Sequence, residues 1–418
     1  MVMKRSRFLL GCALGMMAML SLSCQTRAPV SNPPPPDYHI YAGNTHSHTS
    51  YTWSHGDQWV SKKKSGGSKE PILYDTPEGV QYPATNATLK PDWQKVQGPP
   101  SAHFALAKTH GYDFYVTSDH SQEAGLNPVS PTNAEWLATK QAAAEATDAN
   151  FVALAGYEHS ENNGPGGVGH LNVINSAEYL NALAPGVDLP YLYKWLKTTP
   201  PNGDGPVVVS FNHPGPRQYN NWAYRDPEIT DIITLLEVIN SNKAIHYAGF
   251  INALDKGWKV SPVCGNDNHG LWGITHHTSR TFVLATNKTK VAILDAMKHR
   301  RTYAALNQNI QCRYSVNGAI MGSTLDRPKI FTFDIAISDP DTDKPGDKIT
   351  KIDIVQDGGA EVRSYSPAPD YSVRWQPVIN NSTNRYFFVR VWNADGGDAP
   401  GANPANPVAW LAPVWTGR

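Results

Sequence analysis

The stretch Asn44–His55 reads NTHSHTSYTWSH and places three histidines in a dozen positions. His46 and His48 are two apart, and on an extended chain that spacing points both imidazoles to one side. Two ring nitrogens converging at about 2.0–2.1 Å on one point are ligands for a divalent metal. Such a pair is a weak signal alone, because a histidine near a strand is usually a packed or surface residue. The rest of the chain strengthens it. TSDHS supplies Asp119 and His120, GYEHS supplies Glu158 and His159, and GVGHLNV supplies His170. FNHPGP supplies His213, and GNDNHG supplies Asp267 and His269 at the same i, i+2 spacing. Burying such a set is costly unless a metal or a hydrogen-bond network compensates it. Zinc, manganese and iron all suit histidine and carboxylate donors. Water bridging divalent ions is acidified and supplies hydroxide near neutral pH. Two ions about 3.5–4 Å apart stabilise the attacking and leaving oxygens of a phosphoester.

These residues need elements to position them. Apolar, β-branched or aromatic runs precede most of them: YHIYAG (38–43), YDFYVTS (112–118), FVALAG (151–156), LNVIN (171–175), PVVVSF (206–211), DIITLLEVIN (231–240) and WKVSPVCG (258–265). Between them, 101–111, 133–148 and 289–301 read as amphipathic helices. Strand and helix in alternation predict a parallel α/β architecture, with the chemistry at the strand C-terminal ends. After RRTYAALNQN the composition changes. Alternating runs at 330–337, 348–355 and 386–393, separated by Asp/Gly/Pro turns, predict an all-β sandwich over 311–418. Segment 56–100 is long and polar, and its KKKSGGSK run (62–69) reads as a solvated loop.

The chain has 418 residues, enough for more than one core, and acidic and basic residues balance at 36 each. No nucleic-acid partner is expected from that balance. At the N-terminus, Lys4, Arg5 and Arg7 precede a short apolar run, Phe8–Leu20, and then SLSCQT. Residues 1–24 read as a lipoprotein-type signal with Cys24 as the lipidated residue, or as an ordinary secretory signal. Residues 25–37 read as a Pro-rich tether. Either reading places the protein outside the cytoplasm, on a bacterial membrane through Cys24 or secreted. Cys264 and Cys312 remain, and their spacing does not decide between a disulfide and two thiols. HExxH, Walker and GxSxG motifs do not occur.

HxH, SDH, GxE, an isolated His, NHP and DxH, in this order, resemble the PHP (polymerase and histidinol phosphatase) family. The likeness is greatest to its secreted branch related to carbaryl hydrolase-type metalloenzymes, where RRTYA and AWLAPVW also recur. It covers residues 38–310 well and 311–418 more loosely. The resemblance implies a distorted (β/α)7 barrel holding two or three divalent ions (Zn, Mn or Fe). It implies the ligands His46, His48, His55, His120, Glu158, His170, His213, Asp267 and His269. His55 stands where the family has an aspartate, and Asp57 is its competitor. Asp119 is implied to orient a ligand, and Arg217, just past NHPGP, to clamp a phosphoryl oxygen. Glu237 in LLEVIN resembles a recurrent element without an assigned role. His159 is expected to face away from Glu158 as a structural residue. Tyr51, Trp53, Trp59 and Trp272 lie near the motifs and either stack on a substrate or pack.

The activity expected is hydrolysis of a small-molecule, lipid or sugar phosphoester. Carbamate or amide-ester hydrolysis by the same site is the first alternative. An amidohydrolase barrel also begins with HxH but leaves SDH and NDNH unexplained. A non-catalytic surface binding protein with structural metals is the alternative of a different class.

Overall fold

The computed structural model describes residues 37–52, 58–60, 73–83, 87–161, 168–380 and 383–418. The expected signal segment with Cys24, all of the tether but Asp37, Trp53, His55, Asp57 and the KKKSGGSK run lie outside the described residues.

The strands that matter to the site are β1 (His39–Asn44), β2 (Phe114–His120), β3 (Val152–Glu161), β4 (Gly169–Ile174), β5 (Val208–Asn212), β6 (Ile233–Asn240), β7 (Ser261–Gly265), β8 (Arg280–Ala285) and β9 (Thr302–Ala305). They hydrogen-bond in the order β7-β6-β5-β4-β3-β2-β1-β8-β9 within one large sheet. β1–β2, β2–β3, β5–β6 and β6–β7 are parallel, as strand–helix alternation predicts. β4 runs antiparallel to both neighbours, and β8 antiparallel to β1. Only residues 162–168 separate β3 from β4, fewer than the dozen or so a parallel return needs. The sheet is therefore mixed.

The sheet curls until β7 meets β8 and β9, where hydroxyls replace the backbone ladder. Thr281 Oγ1 accepts from Cys264 N and donates to Cys264 O, each at 2.7 Å. Thr302 Oγ1 donates to Pro262 O at 2.9 Å.

The inner face of the curl changes character along its length. Alternate residues run from Val116 through Ser118 to His120, from Leu154 through Gly156 to Glu158, and from Val208 through Ser210 to Asn212. The apolar ends, Val116, Leu154 and Val208 with Ile174, Leu235 and Val263, form one buried cluster with Ile293, Leu294 and Met297. Those last three belong to a helix, Lys290–Lys298, whose start Thr289 caps by accepting from Ala292 N. Burial of its apolar side chains plugs one end of the curl and leaves the polar ends at the other. Because β4 is antiparallel, its first residues lie at the polar end, and His170 precedes its apolar run instead of following it.

Helices α1 (Pro100–Thr109) and α2 (Ala134–Ala146) cover the outer face of β2 and β3, burying Phe104, Ala107 and Ala143 against Tyr115 and Phe151. Asn133 caps α2, its side chain accepting from Glu135 N and Trp136 N.

The large sheet continues from β9 through Ala409–Leu411 to β13 (Tyr386–Asn393), β12 (Ile349–Gln356) and Glu361–Tyr365. A second, five-stranded antiparallel sheet contains β10 (Gln311–Val316) and β11 (Ile330–Ser338). Buried and exposed residues alternate along β11. Phe331 and Phe333 of β11 meet Phe387 of β13 at ring distances of 5.0 and 5.8 Å, so the two sheets share one core. Cys264 and Cys312 are free, buried thiols. Among the described residues no helix is long and apolar enough to cross a membrane.

Candidate metal centre

His46 and His48 follow β1 on an extended segment held from both sides. Ser118 N donates to Ser47 O at 2.7 Å, and His48 N donates to Asn268 O at 2.9 Å. The Ser47 hydroxyl donates to Val116 O at 2.9 Å. Alternation then sends both imidazoles inward, where their Nε2 atoms lie 3.0 Å apart.

Glu158, near the end of β3, is the hub. Its Oε1 lies 3.3 Å from His46 Nε2, 3.3 Å from His170 Nδ1 and 3.5 Å from His213 Nε2. Its Oε2 lies 3.0 Å from His120 Nε2 and 3.6 Å from His48 Nε2. Asn212 Nδ2 and Ser160 Oγ each donate to this carboxylate at 2.9 Å and fix its plane. Asp267 Oδ1 is 3.0 Å from His48 Nε2 and 3.4 Å from His46 Nε2, and Asn240 Nδ2 donates to its Oδ2 at 3.1 Å. The His269 ring stacks on His48 with centroids 4.1 Å apart. His213 and Asp267 hold positive φ of 30° and 48°, a strained backbone for side-chain-bearing residues of the kind that gathers at functional sites.

The donors fall into four overlapping triplets that could each hold an ion: His48, His120 and His269; His46, His213 and Asp267; His46, His48 and Glu158; and Glu158, His170 and His213. Ligands about 2.0–2.1 Å from a tetrahedral ion lie roughly 3.3 Å from one another. Most of the nitrogen–oxygen separations here lie close to that spacing, and the donor set suits a divalent ion.

Burial works against a charge on His46, His48 and His120, and the neighbouring charges decide between them. For His46 it is outweighed by Asp267, Glu158 and Glu237, which hold the imidazole well above its ordinary value. For His120 it is outweighed by Glu123 and Glu158, and the pKa rises to about 10. Burial, then His269 and His120, holds His48 well below the ordinary value. Burial opposes ionisation of Glu158, but His46 and His170 keep it a carboxylate.

Of three positioning groups, Glu123 and Thr52 escaped the sequence reading of the site, and Glu237 was noted there without a role. Glu237 Oε1 lies 2.8 Å from His46 Nδ1, and its Oε2 accepts from His213 N at 2.8 Å. Glu123 Oε1 lies 3.3 Å from His120 Nδ1. Thr52 Oγ1 donates to Asp119 Oδ1 at 2.8 Å, accepts from His120 N at 3.1 Å and lies 3.3 Å from His48 Nδ1. A buried glutamate in the apolar LLEVIN run was the available signal for Glu237. Glu123 and Thr52 sit in loops whose path the residue types do not reveal.

Asp119 accepts from Thr49 N, Thr49 Oγ1 and Thr52 Oγ1 at 2.7, 2.7 and 2.8 Å. It therefore holds the loop that carries His48. His159 is buried with neither ring nitrogen hydrogen-bonded among the described residues, and burial lowers its pKa to about 3. Arg217 is exposed on the segment after His213 and makes no ion pair among the described residues. Trp59 is buried, Tyr51 is half-buried, and Trp272 is exposed three residues past His269.

No family model and no curated relative matches the chain. Among solved structures it is similar to a two-domain protein from Bacteroides vulgatus ATCC 8482 that contains a predicted PHP-like metal-dependent phosphoesterase. Identity is 16%, the match covers 91% of this chain and 97% of that one, and the TM-score is 0.43. So slight a likeness leaves the fold and chemistry of this chain to rest on its own residues.

Proposed function

We propose that the curled sheet is a distorted PHP-type (β/α)7 barrel and that the protein is a multinuclear metal-dependent phosphoesterase, exported and lipid-anchored through Cys24. The observation that carries the reading is Glu158, a buried carboxylate within 3.6 Å of ring nitrogens of His46, His48, His120, His170 and His213.

His46, His48, His120, Glu158, His170, His213, Asp267 and His269 would hold the ions. When bound, divalent ions there polarise a phosphoryl oxygen and acidify water. The protein's own groups prepare the site. Asn212 and Ser160 fix the hub carboxylate, while Glu237 accepts the Nδ1 proton of His46 and so presents its Nε2 lone pair inward. Asp119 and Thr52 tie the short segment after His48 to the end of β2 at His120. In this reading Arg217, on the rim, meets the anionic substrate from solvent.

Protein loaded with zinc, manganese or ferrous iron should hydrolyse p-nitrophenyl phosphate or its bis-ester. His46→Ala/His48→Ala should lose this activity by about 100-fold or more. Turnover of a naphthyl N-methylcarbamate without phosphoester turnover would move the assignment to carbamate hydrolysis. Inactivity on both, in metal-replete protein, would leave a binding protein.

A further inference from the structure

A second group of oxygen donors lies apart from the histidine cluster, where the two sheets join. Residues 339–347 link β11 of the second sheet to β12 of the large sheet, Asn307 and Asn309 follow β9, and Asp398 follows β13. Carboxylate oxygens of Asp339, Asp341 and Asp347 lie within 4.8 Å of one another.

Asp339 and Asp347 are only 3% and 4% exposed, and Oδ2 of each has no hydrogen-bond partner. The other oxygens are satisfied: Asp339 Oδ1 accepts from Asp341 N at 3.0 Å, and Asp347 Oδ1 from the Asn307 and Asn393 amides, each at 3.3 Å. The Asn309 side chain lies beside Asp341, to whose carboxylate its amide donates. Lys344 pairs with Asp341, and neither Asp339 nor Asp347 has an ion pair among the described residues. Burial, then Asp339 and Asp398, pushes Asp347 up to about 6, and burial raises Asp339 and Asp398 as well.

Buried carboxylate oxygens left without donors cost free energy, and adjacent like charges add to it. A cation removes both penalties. The donors are all oxygen, with no imidazole or thiolate, which selects a hard cation over zinc or iron. Calcium accepts six to eight oxygens in flexible geometry, whereas magnesium demands a near-ideal octahedron. A cleft lined by Asp343, Lys344, Asp347, Asp395 and Asp398 borders the group at Asp347. We infer that Asp339, Asp341 and Asp347 bind a structural calcium ion that ties the second sheet to the large one.

The test uses the full chain, stripped with EGTA and titrated with calcium chloride by calorimetry and thermal unfolding. One calcium per chain is expected, with Tm rising by about 2 °C at ten times Kd. Asp339→Asn/Asp347→Asn should abolish both signals. In EGTA that variant should melt no lower than the wild type, because the repulsion is gone. Should the double variant fail to fold, Asp341→Asn should weaken calcium binding at least tenfold. No heat and no Tm shift up to about 10 mM calcium, or an undiminished shift in the aspartate variants, overturns the inference.

Discussion

His46 Nδ1 sits 2.8 Å from Glu237 Oε1, with both side chains fully buried. The same carboxylate receives the His213 backbone N–H, so one side chain orients two of the donors. A Cβ at Gly265 would stand 1.9 Å from Glu237 Oε1 and 2.8 Å from His46 Cβ, so this carboxylate fits only beside glycine. Partners of this kind typically hold metal affinity at the 10–100-fold level. Glu237→Gln should weaken divalent-metal affinity by about that factor in a competition titration, with the circular dichroism spectrum unchanged. Gly265→Ala should weaken it similarly. Unaltered affinity in both would remove Glu237 from the positioning role.

Asp119 and Thr52 make a second such relationship. Asp119→Ala strands three buried donors, and each unsatisfied buried group costs about 1–3 kcal/mol. Stability should fall by about 3 kcal/mol or more in urea unfolding. Thr52→Val should cost less stability yet reduce kcat, because it removes the bond to His120 N and the contact to His48 Nδ1. Loss of stability with kcat unchanged in Thr52→Val would make the network structural only.

Much of this was legible in the sequence, because its signals are local. The seven apolar runs named from periodicity all contain strands, and the three amphipathic stretches contain helices. The strand Arg280–Ala285 was missed: RTFVLA is short and follows a polar loop. Strand direction was also hidden, since alternation is the same for either sense, and the placement of His170 before its apolar run followed from that. The histidine and carboxylate set was visible because i, i+2 spacing and strand-end placement are sequence properties. Glu123 reaches His120, and Thr52 reaches Asp119 and His120, through chain paths that only tertiary structure defines.

Glu135 carries a pH dependence. Burial, then Asp119 and Glu123, raises its carboxyl to about 7, so the folded protein holds this proton more tightly than the unfolded chain. The stability it contributes is full below the ordinary value of 4.5 and is lost as pH rises through about 7. Glu135→Gln should match the wild type at pH 4.5 and exceed it at pH 8, by an amount on the order of 1 kcal/mol after solvent screening. Urea unfolding of metal-stripped protein at both pH values measures this. An equal difference at both would contradict it.

If Glu158 joins ions held by the surrounding histidines, removing its charge must cost the site at least one of them. Elemental analysis of protein purified without chelator, alongside Glu158→Gln, tests it most directly. At least two transition-metal ions per wild-type chain are expected, with a loss of one or more in the variant. Fewer than two ions in the wild type, or an unchanged content in Glu158→Gln, would contradict it.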